Sequence, residues 1–297
     1  MAIKRVMLLG AGGQIGQALQ AVAHPQDWEL GAFGHAACDL AHHGATQRAI
    51  VEFRPDLVIN AAAMTNVDAC EKDPDKAVAI NFEGVANLAA QCAVRDIPLV
   101  HLSTDYVFDG NDGNIPYVPD AQMNPLGVYG NTKVMGEMSV RHELAWHLIL
   151  RVSSVFSSYG NNILTKALAA IDTMDTLRYV TDQKSCPTYA PDLAAALVTM
   201  ADAILHGKPG TLGTFHYCGA PEATRFEFVQ AVMESYAPYT ARRPEILEAV
   251  SSDFPTAAPR PAYSSLDMEK TTRVFGLSPL PWRERLKEAV AILRTPC

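Results

Sequence analysis

"LLGAGGQIGQAL" (residues 8–19) sets Gly10, Gly13 and Gly16 three residues apart, with Gly12 as an extra. An apolar run, "RVMLLG" (5–10), leads into this loop. A segment with helical spacing (14–23) follows, with Ile15, Leu19 and Val22 on one side. Strand, glycine turn and helix in that order give such glycines a physical role. The first permits the tight turn, the middle one lets backbone approach a pyrophosphate, and the last lets the helix pack closely on the strand. The helix N-terminus offers unpaired N–H groups and partial positive charge to phosphates. Gly10, Gly13 and Gly16 are therefore expected to hold a dinucleotide.

The alternation continues outward. "WELGAF" (28–33) reads as a second strand and "ATQRAIVEFRP" (45–55) as a helix ended by its proline. "DLVINAAA" (56–63) is a third strand, and a long helix over about 75–95 carries Val78, Phe82, Val85, Leu88 and Ala89 as a stripe. "IPLVHLST" (97–104), a helix over 129–144 and "HLILRVS" (147–153) complete the run. Strands alternating with helices imply an α/β fold, a doubly wound parallel sheet of Rossmann type with helices on both faces. Beyond residue 153 the pattern loosens, with strands at 177–182 and 213–219 and helices at 190–207, 224–236 and 282–293. The expected division is a dinucleotide-binding unit, residues 1–154 plus roughly 174–208, and a smaller C-terminal substrate-binding unit, roughly 155–173 plus 209–297.

Composition narrows the classes. The chain has 297 residues, 48% hydrophobic, enough for a sizeable core, and a net charge of -8 that argues against nucleic acid or an anionic membrane as the main partner. No signal-peptide pattern and no membrane-length apolar stretch is present. Cys38, Cys70, Cys92, Cys186, Cys218 and Cys297 are scattered, as expected of reduced thiols in a cytoplasmic protein. No histidine spacing suggests zinc, and His42 with His43 reads as a surface pair.

The chemistry is carried by "YGNTK" (129–133). Tyr129 and Lys133 stand four residues apart, on one helix face. Carbonyl reduction needs a proton donor at the new alkoxide, and a nearby ammonium would lower the phenol's pKa for that task. Lys133 would also hold the nicotinamide ribose. "HLSTDYVFDG" (101–110) places the Ser103 and Thr104 hydroxyls at a strand end, within reach of a substrate carbonyl. "NAAA" (60–63) ends another strand in small residues that let a cofactor lie close. The end of the second strand carries Gly34 and His35 and no carboxylate, which leaves room for the 2′-phosphate of NADP. Asp39, with Leu40, reads either as reaching the adenine side or as a loop cap.

This set resembles the extended short-chain dehydrogenase/reductase family over nearly the whole chain, and within it the dTDP-4-dehydrorhamnose reductase branch. The matching stretches are "GQIG" (13–16), "RPDLVINAAAMTNVDACE" (54–71), "STDYVFDG" (103–110), "NPLGVYGNTKVMGE" (124–137), "DQKSCPT" (182–188) and "RPAYSSLDMEK" (260–270). The resemblance implies Thr104, Tyr129 and Lys133 as the catalytic set. It implies Gly13, Gln14, Ile15, Gly16, Asp39, Leu40, Ala61, Ala62, Ala63 and Thr65 around the cofactor. Thr104 and Asp105 would touch the sugar of a dTDP-linked substrate. NADPH, with NADH as the alternative, would reduce C4 of dTDP-4-dehydro-L-rhamnose in dTDP-rhamnose synthesis. Some relatives associate with magnesium at a dimer contact; a homodimer is compatible, and no magnesium cage is legible here. One departure stands out: Ser154 in "RVSSVF" (151–156) occupies the position of a family Trp facing the substrate, and Met64 replaces an aromatic or His. Ser154 is therefore a substrate-side residue that leaves a related 4-ketosugar open. The rival readings are another nucleotide-sugar 4-ketoreductase or epimerase, and a non-catalytic NADP-binding regulatory subunit like that of methionine adenosyltransferase. Asn81 and Asn87 read as site or helix-packing residues, Asp182 and Arg260 as structural or substrate-unit polar contacts, and Trp282 as core.

Overall fold

The structure, a computed structural model, describes residues 3–111, 113 and 115–294. Its strands are β1 (Lys4–Leu9), β2 (Trp28–Phe33), β3 (Leu57–Asn60), β4 (Leu99–Thr104), β5 (His147–Val152), β6 (Val155–Phe156), β7 (Thr176–Val180), β8 (Lys184–Ser185), β9 (Thr188–Tyr189), β10 (Gly213–Tyr217), β11 (Ala223–Thr224) and β12 (Glu245–Ala249). Its helices are α1 (Gln14–Ala21), α2 (His43–Phe53), α3 (Val67–Lys72), α4 (Pro74–Val78), α5 (Gly84–Ala93), α6 (Val128–Glu143), α7 (Ile163–Thr173), α8 (Ala190–Leu205), α9 (Arg225–Tyr236), α10 (Glu269–Phe275) and α11 (Trp282–Arg294). Among the described residues no helix is long and apolar enough to cross a membrane.

The central sheet is parallel, in the order β2-β1-β3-β4-β5-β10. Its inner strands are apolar runs buried on both faces, as a helix-covered parallel sheet requires. Side chains alternate between two cores. Val6, Leu8, Leu57, Ile59, Val100 and Leu150 pack with α1 and α8. Met7, Leu9, Val58, Leu99 and Ile149 pack with α2, α5 and α6. The strand order reverses between β1 and β3, which opens a crevice at their carboxyl ends.

A third core gathers Phe156, Leu177, Phe228 and Trp282 with the apolar faces of α7, α9 and α11. Trp282 is core, as expected, and its Nε1 donates to the Pro221 carbonyl at 2.7 Å. Two strands fall on other sides of the division than the sequence suggested. β10 closes the central sheet, because Phe215 packs in the α1–α8 core. β7 pairs with β12 and puts Leu177 into the third core.

The helix expected over 75–95 is one rod with a π-helical turn, Ala79–Glu83, between α4 and α5. That turn aims buried Asn81 at the β3 end. Asn81 accepts from the Met64 N–H at 2.8 Å and donates to the Met64 carbonyl at 3.0 Å and Thr132 Oγ1 at 3.2 Å. A Cβ at Gly136 would collide with the Asn81 carbonyl, so that glycine lets α6 close against the turn. Asn87 lies elsewhere, donating to the His43 carbonyl.

A buried charge cluster fixes α6 to the sheet. Glu137, fully buried, accepts from Arg151 Nε at 2.9 Å and its terminal nitrogen at 2.8 Å, from Ser103 Oγ at 2.6 Å and from Arg141 at 2.7 Å. Burial pushes the Glu137 carboxyl up, but Arg151, Ser103 and Arg141 offset this and hold it below the ordinary range. Arg151 also donates to the Pro119 carbonyl at 2.9 Å and lies over the Phe108 ring. Replacing Arg151 by Met leaves a buried carboxylate without its main partner. We expect Arg151→Met to lose about 3 kcal/mol or more in urea unfolding, and Arg151→Met with Glu137→Met to regain most of it. A single variant that unfolds at the wild-type urea midpoint contradicts this.

Candidate active site

β4 and α6 deliver the reacting side chains. β4 ends at Thr104, whose Oγ1 accepts from the Tyr106 N–H at 3.2 Å and donates to Asp105 Oδ1 at 3.0 Å. α6 begins at Val128 because Glu71 of α3 supplies a carboxylate to its first N–H at 2.7 Å, a role that Gly127 cannot fill. One turn places Tyr129 and Lys133 on the buried side, facing the end of β4.

Tyr129 is in hydrogen-bond contact with Thr104, and its ring meets Tyr106 edge-on at 5.8 Å. Burial holds its phenol above the ordinary range and outweighs the Thr104 contact. This differs from the lowering by Lys133 that the spacing suggested. The Lys133 amine donates to the Leu102 carbonyl at 2.7 Å and stands 3.4 Å from His101 Nε2. Burial lowers its pKa to about 8, with Glu137 opposing.

Asp105 is also buried. Its Oδ2 accepts from Ser153 at 2.8 Å and Ser264 at 2.7 Å, so three hydroxyls including Thr104 surround one carboxyl. Burial raises its pKa despite these bonds. Ser154 adopts the left-handed region at φ 43°, and its Oγ is 2.6 Å from Ser185 Oγ.

Gln14, Ile15, Ala61, Ala63, Thr65, Thr104, Asp105, Tyr129, Lys133 and Ser154 line one cleft of about 260 Å³. The opposite wall comes from the part of the chain beyond β5: Asn161, Asn162, Lys166 of α7 and Arg225 of α9. Sequence reasoning missed Lys166 and Arg225, two cations on helices that carry no motif. It also missed Glu137 and Arg151, although both fall in quoted stretches.

The glycine loop fits a dinucleotide. Gly10 has φ +81°, and a Cβ there would stand 2.6 Å from the Ala62 nitrogen. A Cβ at Gly16 would strike the Gly10 carbonyl, so α1 packs directly on the loop. A Cβ at Gly12 meets nothing within 4 Å, which leaves that side open. α1 has no side-chain cap at Gly13, so its first N–H groups are offered to the crevice. Asp39 and Leu40 do not line the cleft. Asp39 Oδ1 accepts from the Ala41 N–H at 3.0 Å, in keeping with a loop cap, and His35 is exposed beside it. Ala62 is held at the β3 end by Asn60 Oδ1 at 3.0 Å. Asp182 accepts from Ser251, and Arg260 pairs with Asp68 at 2.6 Å; both act as structural contacts. Among the described residues no three His, Cys, Asp or Glu side chains gather to hold a metal ion.

Comparison with known proteins adds a family. Residues 4–295 match the model described as the RmlD substrate binding domain. A dTDP-4-dehydrorhamnose reductase of Sinorhizobium fredii is 38% identical over 287 residues, covering 96% of each chain. A dTDP-4-dehydrorhamnose reductase structure from Clostridium acetobutylicum superposes with a TM-score of 0.90 at 30% identity, over 98% of this chain and 100% of that one. A Bacillus anthracis dTDP-4-dehydrorhamnose reductase in complex with NADP gives 0.87 at 30% identity, over 97% and 98%.

The open side of Gly12 gives a test. Gly12→Asp is expected to fold with an unchanged Tm but to weaken NADPH binding about tenfold or more, because its carboxylate faces the phosphates. Fluorescence titration measures this; wild-type affinity would move the phosphates away from the loop.

Proposed function

The chain belongs to the family of the RmlD substrate binding domain, the dTDP-4-dehydrorhamnose reductases, and from that premise we infer what its cleft does. It reduces the C4 ketone of dTDP-4-dehydro-L-rhamnose to dTDP-L-rhamnose, with NADPH as reductant and NADH as the alternative. The observation that carries this reading is the meeting of Thr104, Tyr129 and Lys133 in a cleft between the glycine loop and two cations.

Bound NADPH supplies the hydride for C4. The protein's own residues do the rest. Tyr129, kept protonated by burial, is the proton donor to the C4 oxygen. Thr104 orients that oxygen, and Asp105, fixed by Ser153 and Ser264, orients Thr104 and meets the sugar. Lys133, one turn along α6 from Tyr129 and in the same cleft, is the nearby cation that stabilises the phenolate left after proton transfer. Lys166 and Arg225 supply positive charge for the substrate's diphosphate in a chain of net charge -8. The part of the chain around the third core, with α7 and α9, serves as the substrate-binding unit. Ser154, small and turned to Ser185, forms the sugar-side wall. A cytoplasmic location is supported by the unpaired thiols of Cys38, Cys70, Cys92, Cys186 and Cys218; Cys297 lies outside the described residues.

Two outcomes test the reading. With NADPH and dTDP-4-dehydro-L-rhamnose, Tyr129→Phe should lose about 100-fold or more in kcat while its NADPH affinity stays near wild type. Retained turnover would remove Tyr129 as donor. The second is pH. Lys133 is cationic below about 8 and neutral above it. The reductive kcat/KM should therefore fall as pH rises through that value; a profile flat to pH 10 contradicts the role given to Lys133.

A further inference from the structure

Beneath Lys133 lies a buried pair that the mechanism does not use. Asn60 ends β3 and His101 lies in β4, and the two are register partners in the parallel sheet. Both are fully buried. Asn60 Nδ2 and His101 Nδ1 are 3.1 Å apart, and His101 Nε2 is 3.4 Å from Lys133 Nζ.

The amide orientation is decided by a backbone group. The Ala62 N–H can only donate, and it is 3.0 Å from Asn60 Oδ1. The oxygen is therefore turned to Ala62, and the Asn60 NH2 is turned to the imidazole. An NH2 donates, so His101 Nδ1 must accept. Burial disfavours the imidazolium. A neutral ring that accepts at Nδ1 carries its proton on Nε2. That N–H faces Lys133. An ammonium there has three N–H groups and no lone pair, so N–H would meet N–H. A neutral amine donates to the Leu102 carbonyl, accepts from His101 and keeps one N–H for the cleft.

We propose that Asn60 and His101 are a positioning pair, locked in the Nε2–H tautomer, that eases loss of a proton from the Lys133 ammonium, so that Lys133 passes between its cationic and neutral forms and is not a permanent cation. The other groups bearing on Lys133 are few. Glu137, one turn along α6, favours the ammonium, but it is already bound by Arg151 of β5 and by Arg141. Tyr129 lies one turn before, with Asp105 and Cys70 beyond it. The inference rests on the reading of Lys133 as part of the active site.

The test uses the whole chain without cofactor, so it fails or succeeds separately from the reductase reading. Long-range 1H–15N correlation on the histidine-labelled protein should show His101 neutral and protonated at Nε2. A 13Cε-lysine titration, with Lys133→Arg identifying the signal, should show the Lys133 midpoint rising about one pH unit in His101→Phe. Asn60→Asp provides a second variant: its carboxylate accepts from Nδ1–H, reverses the tautomer, and should also raise the midpoint. An Nδ1–H tautomer or an imidazolium in the wild type overturns the proposal. So does an unmoved Lys133 midpoint in either folded variant.

Discussion

The ion pair between Glu137 and Arg151 is the constraint on which the site depends. Both charges are out of water, so neither tolerates loss of the other. Arg151 belongs to β5, and Ser103, which donates to the same carboxylate, belongs to β4. Glu137 is one turn beyond Lys133. The pair therefore sets the rotation of α6 about its axis, and with it the direction of Tyr129 and Lys133. A purely apolar contact would hold the helix down but would not fix its rotation so narrowly. Arg141, bonded to Glu137 and to Thr214, extends the same clamp to β10.

The second fixing point is at the other edge of α6. Thr132 meets Asn81, which is placed by a π-helical turn and is also bonded on both sides of Met64. A regular α-helix from 74 to 93 would carry the residues after the turn around to a different side. The wider turn is a local departure that aligns Asn81 with the β3 end, and such turns recur at functional sites. Loop, helix and strand end are thus held at fixed spacing, with Ala61, Ala63 and Thr65 on one wall and Tyr129 on the other.

Much of this was legible in the sequence. Apolar strand runs and helical stripes gave the central sheet, because a buried parallel sheet writes itself as continuous hydrophobic segments. The reacting residues were legible because Tyr129 and Lys133 occupy one helix face and Thr104 ends a strand. Three things were not. β10 reads as an ordinary short strand, and nothing local says that it returns to β5. The stripe of α7, with Leu164, Ala167, Leu168 and Ile171, is clear only once the Asn162–Thr165 capping box marks its start. Lys166 and Arg225 are single charges whose meaning comes only from the cleft they face. The direction of the shift at Tyr129 also needed three dimensions, since spacing reports a neighbouring lysine but not the burial that dominates.

The return of β10 has a consequence for how the chain reaches this structure. When the ribosome has released β1 to β5, the sheet still has a bare edge at β5, and the face of α1 that will pack on α8 is exposed. Both are covered only after the chain has gone out through α7 and β7 and come back. Residues 1–152 by themselves therefore leave an unpaired strand edge at β5, of the kind that invites misassociation. Closing that edge needs the long-range pairing of β10 with β5, between residues more than 60 positions apart, and contacts of that kind slow folding.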